Sequence, residues 1–252
     1  INGLYAAQDN VIFAGDNGLI LKYDGEFDYI ESGAAEDLNA VFGDVIAGNN
    51  GKMFRLEGDK VSGIISGTGE NIKSLWISQS YKIYAVGESG LFLQGPPESL
   101  SQVEGVPVVN LNAVFGLNDT AVFAAGDKGT LLFYDGKNIS KMPSPTSAAI
   151  HDIFGTGLTS LYAVGDFGVV LKFSGSVWTK ILDASETFLY GAGGGQRIFA
   201  AGWAGSFYEL KEGEATKIET PYMYIFEDLT FSLFTDSYLL CGRKGVIIEY
   251  KP

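Results

Sequence analysis

Gly15-Asp16-Asn17-Gly18 decides the fold, because its pattern returns six more times. The copies are Gly48-Asn49-Asn50-Gly51, Gly87-Glu88-Ser89-Gly90, Gly126-Asp127-Lys128-Gly129, Gly165-Asp166-Phe167-Gly168, Gly202-Trp203-Ala204-Gly205 and Gly242-Arg243-Lys244-Gly245. Their first glycines stand 33, 39, 39, 39, 37 and 40 residues apart. A self-similar period of this length marks a repeat architecture.

Around each motif lie short runs rich in Val, Ile, Leu, Phe and Tyr. The fourth repeat shows them most plainly: Leu111-Asn-Ala-Val-Phe-Gly116, Ala121-Val-Phe-Ala-Ala-Gly126, Gly129-Thr-Leu-Leu-Phe-Tyr-Asp-Gly136 and Asn138-Ile-Ser-Lys-Met142. Gly, Asn, Asp or Pro bounds each run, which is the punctuation of strands. No stretch of a dozen residues has helical amphipathicity. Four strands, A to D, in about 36 residues describe one blade of a β-propeller. The reading is therefore all-β: a single seven-bladed propeller domain over 1–252. Its repeats fall at about 4–37, 38–71, 72–110, 111–149, 150–187, 188–225 and 226–252.

Gly-x-x-Gly is placed between strands B and C, where positive φ is needed. Strand A is expected to begin at Leu4, Leu38, Ile72, Leu111, Ile150, Phe188 and Phe226, all in one buried register. The run Gly191-Ala-Gly-Gly-Gly-Gln196 reads as an A-to-B turn, since it leads into a strand and not into the helix that a dinucleotide loop requires. The last repeat ends near its C strand, Gly245-Val-Ile-Ile-Glu-Tyr250, so its blade is expected to have three strands.

The formal charge is −13. A diffuse acidic surface repels phosphate backbones and anionic lipid, which argues against a nucleic-acid binder. No apolar run reaches the length of a membrane span. The single cysteine, Cys241, sits in an apolar B strand and reads as a buried thiol. Low Lys, high Gly and Ser, and a start at Ile1 point to a processed extracytoplasmic protein, expected to be a monomer.

The pattern Val/Ile-Phe/Tyr-Ala-x-Gly-Asp-x-Gly-x-Leu-x-x-Tyr-Asp-Gly resembles the repeats of Asp-box-like (BNR-type) propellers. It is most similar to those of bacterial extracytoplasmic repeat propellers and of the photosystem II assembly and stability factor family. The resemblance implies a seven-bladed fold. In the photosystem family it also implies an arginine-rich surface. Here Arg55, Arg197 and Arg243 lie in three separate repeats. Trp178 follows a C-to-D turn at about the Asp-box spacing.

Positions that break the repeat are the candidates for function. At the second and third positions of strand A, repeats five to seven carry His151-Asp152, Leu189-Tyr190 and Glu227-Asp228. Their B-to-C turns carry Asp166-Phe167, Trp203-Ala204 and Arg243-Lys244, and Pro221-Tyr222-Met223-Tyr224 leads into the last blade. The expected site is one face over blades five to seven. Trp203, Tyr190, Tyr222 and Tyr224 would supply flat apolar surface. His151, Asp152, Glu227, Asp228 and Arg243 would supply oriented polar groups. Such a face suits a carbohydrate or a protein partner, with no cofactor and no catalytic or metal residue assigned. A calcium ion among Asp152, Glu227 and Asp228 is one alternative. A glycoside hydrolase that uses these carboxylates as an acid/base pair is another.

Overall fold

The computed structural model describes residues 1–252 as seven antiparallel sheets, each with its strands side by side in chain order. Six sheets have four strands and the last, Phe226–Ser232, Ser237–Gly242 and Val246–Tyr250, has three. Strand A of each blade packs on strand A of the next, and Phe226–Ser232 packs on Gly3–Ala6, so the inner strands close a ring around a channel. This is the seven-bladed propeller that the repeats imply.

The core lies between blades. One buried cluster joins Phe123, Ala125 and Leu131 of blade four to Ile153, Leu171, Phe173 and Trp178 of blade five. Another joins Trp76, Tyr84 and Phe92 of blade three to Val114, Val122 and Leu132 of blade four. Each fully buried large side chain contributes about 1.5–3 kcal/mol. Trp178 belongs to this packing: its ring stands 5.1 Å from Phe173, and its indole N–H donates to Met142 Sδ.

The two glycines of each B-to-C turn serve different needs. The first is extended and sits where a Cβ would strike backbone; at Gly48 it would lie 2.1 Å from the Asp37 carbonyl oxygen. The second holds positive φ, as does the residue before it: Asn50 at 54° and Gly51 at 66°. Phe167 (58°) and Ala204 (51°) occupy the same left-handed position without an amide side chain, at a cost of about 1 kcal/mol each.

Strand A departs from the expected register in two blades. Opposite the first glycine of each turn stand Leu38, Ile72, Leu111, Ile150, Leu189 and Phe226. In blade six the register residue is thus Leu189 and not Phe188. In blade one it is Ile1 and not Leu4: Gly3 already pairs with Ala14, and Ile1 lies against Gly15. The A-to-B connection varies in length, so counting forward from similar runs misplaces the strand. The reliable anchor is the residue across from the turn glycine.

The corrected register gives a second position of Asn2, Asn39, Lys73, Asn112, His151, Tyr190 and Glu227. In blades two to seven this residue is skipped by the ladder, a β-bulge. A bulge re-aims a side chain, and here all seven side chains line the channel. The third position is Gly3, Ala40, Ser74, Ala113, Asp152, Gly191 and Asp228.

These two positions tie neighbouring blades together. Asn2, Asn39 and Asn112 donate through Nδ2 to the carbonyls of Leu38, Ile72 and Ile150 in the following blade, at 3.1, 2.8 and 2.9 Å. Ser74, Asp152 and Asp228 accept the backbone N–H of Val114, Ala192 and Leu4, at 3.2, 2.7 and 3.1 Å. The seam between blades six and seven has neither tie. There Gly191 and Gly193 let the strands meet directly: a Cβ on Gly191 would lie 2.8 Å from Asp228 Cα, and one on Gly193 2.2 Å from the Leu229 carbonyl oxygen. Gly191 to Gly194 are therefore inner strand, Leu189–Gly194, and of the run expected to form the A-to-B turn only Gly195 and Gln196 lie in it.

Candidate binding face

The channel mouth opens on the face that carries the B-to-C turns. Its polar ring is wired to those turns in five of seven blades. Asn2 donates to Asp16, Asn39 to Asn49 and Asn112 to Asp127, at 2.9, 2.9 and 3.1 Å. His151 Nε2 lies 2.6 Å from Asp166 Oδ1, and Arg243 Nε donates to Glu227 Oε1 at 2.5 Å. A cavity of about 350 Å³ lies within the ring. Tyr5, Phe42, Trp76, Phe115 and Phe154 form an aromatic collar deeper along strands A.

Five of the nine expected site residues line this cavity: His151, Asp152, Tyr190, Glu227 and Asp228. Tyr190 packs on His151, with ring centroids 5.2 Å apart. Arg243 stands at the rim, held by Glu227. Trp203, Tyr222 and Tyr224 form a separate group outside the cavity, on the same face. Tyr222 and Tyr224 stack at 6.1 Å, and the Tyr224 carbonyl accepts the N–H of Gly205 in the Trp203 turn, at 2.7 Å. The expected site is thus two patches: a polar channel wall and an aromatic strip beside it.

Asp152 and Asp228 are the most perturbed groups of the wall. Burial pushes both carboxyls up, Asp228 to about 7, and the Asp228 charge adds to the rise at Asp152. Each binds the N–H of the following residue through Oδ1, at 2.7 Å, and the N–H of the next blade through Oδ2. Their oxygens are committed to holding backbone. No group of three or more His, Cys, Asp or Glu side chains converges on a metal position.

Three residues of the strip stand outside the expected site set, although Phe167 and Met223 lie in segments that break the repeat. Phe167 is half exposed in the blade-five turn, at 50%, and Met223 is 80% exposed between Tyr222 and Tyr224. Phe188 links Phe167 to Trp203, with ring centroids 5.8 Å and 6.5 Å away. The signal for Phe188 was its place just before strand A. In blades two, three and four that place holds Asp37, Asn71 and Asn110. Their side chains accept the N–H of Asn17, Asn50 and Ser89, the left-handed residue of the preceding turn, at 2.9, 2.9 and 3.2 Å. In blades five, six and seven it holds Ala149, Phe188 and Ile225. That latch is gone, and no side chain accepts the N–H of Lys128, Phe167 or Ala204.

No family model matches the chain, and no curated protein matches it in sequence. Solved structures match its whole length. The WD40 propeller domain of Doa1 superposes with a TM-score of 0.82 at 11% identity, over 99% of this chain and 92% of that one. The WD40 repeats of RRP9 give 0.77 at 13%, over 98% and 89%. YCF48 bound to D1 peptide gives 0.77 at 12%, over 99% and 92%. At such identities the likeness is one of fold. The chain is a seven-bladed β-propeller, an architecture typical of binding and scaffold modules.

Proposed function

We propose that this propeller is a non-catalytic module that binds an extended segment of a protein partner across the turn face of blades five to seven. One coincidence carries the reading. The sector in which the turn latch is abandoned is also the sector in which Phe167, Trp203, Met223 and Tyr224 stand exposed. Free backbone donors beside aromatic plates are what a peptide main chain and its apolar side chains require. YCF48, whose fold is similar, is seen with a bound peptide. The carboxylates Asp152 and Asp228, the candidates for acid/base chemistry, are occupied in tying blades, which favours binding over hydrolysis.

A peptide array probed with wild type and with the double variant Trp203→Ala/Tyr224→Ala tests the proposal. Peptides retained by wild type and lost by the variant are expected. Retention by both rejects this face. Trp203-dependent binding on a glycan array, with none on the peptide array, makes the ligand a carbohydrate.

A further inference from the structure

Lys73 is the exception in the polar ring. At this position the amide, imidazole and carboxylate side chains reach the turn of their own blade, while Tyr190 packs on His151. Lys73 leaves its turn residue, Glu88, to Asn71, whose Nδ2 donates to Glu88 Oε2 at 3.1 Å. It extends across the seam instead and donates through Nζ to Asn112 Oδ1, at 3.1 Å. It forms no ion pair, whereas Arg243 at the rim has Glu227. An ammonium carries three donors, so Lys73 keeps two for a ligand.

Below Lys73 the wall turns apolar. On the same strand Trp76, otherwise buried between blades three and four, borders the cavity with its edge, and the less buried Phe42 and Phe115 line it on the strands to either side. The ring of Trp76 reaches over Gly116, where a Cβ would come within 2.3 Å of it, so the indole is fixed in place. We propose that the channel wall of blades two to four is a second binding site, in which Lys73 receives the carboxylate of a ligand whose apolar body rests on Trp76, Phe42 and Phe115. This site lies apart from the aromatic strip of blades five to seven and does not depend on it.

The charges around the cavity permit an anion there. Glu227 is neutralised by Arg243 at the rim. Asp152 and Asp228 face the cavity from blades five and seven, and burial holds both toward their protonated forms. Lys73 is the one cation of the cavity wall. The chemistry is that of an apolar group ending in a carboxylate, either a small free acid or the C-terminal end of a chain.

Hexanoate and acetyl-Ala-Ala-Leu, each with its amide as control, distinguish these two sources. The readout is the Trp76 indole N–H resonance of the wild-type protein, assigned with Trp76→Phe, during titration to millimolar ligand. A saturable shift with an acid and none with its amide is expected. The acid that binds more tightly identifies the source. Lys73→Gln should weaken binding about tenfold or more, the scale of a hydrogen bond to a charged group, and Lys73→Arg should keep most of it. Unchanged thermal unfolding of both variants shows that the fold is intact. Three results overturn the proposal: no saturable shift with either acid, equal binding of acid and amide, or undiminished binding by Lys73→Gln.

Discussion

Asp228 Oδ2 accepts the backbone N–H of Leu4 at 3.1 Å, across 224 residues of sequence. This bond joins the inner strand of the last blade to that of the first. It uses the same device that joins Ser74 to Val114 and Asp152 to Ala192. Truncation to Asp228→Ala leaves the N–H groups of Leu4 and Leu229 without their acceptor. An unsatisfied buried donor costs about 1–3 kcal/mol. Asp228→Ser, which copies Ser74, should cost less. Urea midpoints of the two variants give the comparison, and an alanine as stable as serine would remove the tie from the account of ring closure.

The same carboxylate sets a pH dependence. Its folded pKa, about 7, lies above the ordinary aspartate value of 3.8. The folded state therefore holds a proton that the unfolded chain releases. Asp228 contributes fully to stability below the unfolded value, and that contribution is lost as pH rises from about 4 through about 7. Asp152 is shifted in the same direction. The melting temperature should rise as pH is lowered from 8 to 5, and Asp228→Asn should flatten the slope. Glu209, held below the usual range by Arg197, acts oppositely, with stability lost only as pH falls through its lowered value. An identical slope in wild type and Asp228→Asn would show that another group dominates this range.

Gly191→Ala should destabilise the ring. Its Cβ would lie 2.8 Å from Asp228 Cα, and neither backbone can yield without moving a strand. Overpacking of this kind costs about 1–3 kcal/mol. Gly157→Ala is the control, since a Cβ there meets nothing within 4 Å. Equal denaturant midpoints for the two variants would mean that the seam between blades six and seven is looser than its glycines imply.

The missing latch can be restored. Ala149 occupies in blade five the place held by Asp37, Asn71 and Asn110 in blades two to four. Ala149→Asn should present an acceptor to the N–H of Lys128 and raise stability by about 0.5–1.5 kcal/mol, the net contribution of one hydrogen bond. Thermal unfolding measures this. No gain would show that the N–H of Lys128 is already satisfied by water.

Trp203→Ala should leave the melting temperature nearly unchanged, because 44% of the residue is exposed and its one aromatic partner is Phe188. Surface changes of this sort fall within about 0.5 kcal/mol. Loss of partner binding with unaltered stability separates a role in recognition from one in packing.

The repeat was legible because seven turns need glycine for the same steric reasons. The three-stranded last blade followed from where the final C strand falls. The register of strand A was not legible in blades one and six. The hydrophobic runs Leu4-Tyr5-Ala6 and Leu38-Asn39-Ala40 look alike, yet Leu4 stands three places further along its strand than Leu38. The site was legible in part. His151, Asp152, Tyr190, Glu227 and Asp228 announce themselves by breaking the repeat, and they do meet in the channel. Phe188 and Lys73 break it as well, but their meaning lies in lost or redirected hydrogen bonds. Asp152 and Asp228 look in sequence like a catalytic pair, and the fold spends them on backbone.

The inter-blade ties have a consequence of parity. A Ser or Asp tie occurs on blades three, five and seven, and such alternation cannot run evenly around an odd ring. Asparagine amides cover the seams that it leaves after blades one, two and four. After blade six neither device covers the seam, because Tyr190 and Gly191 fill the two places from which such a tie would come, and the Tyr238 hydroxyl on the Arg197 backbone, further out, is the side-chain bond there. Amides near that junction should therefore exchange with solvent sooner than Leu4, Val114 and Ala192, whose N–H groups are captured. The wheel has one joint whose inner strands meet by shape alone, and it lies between the two blades that carry Trp203, Tyr222 and Tyr224.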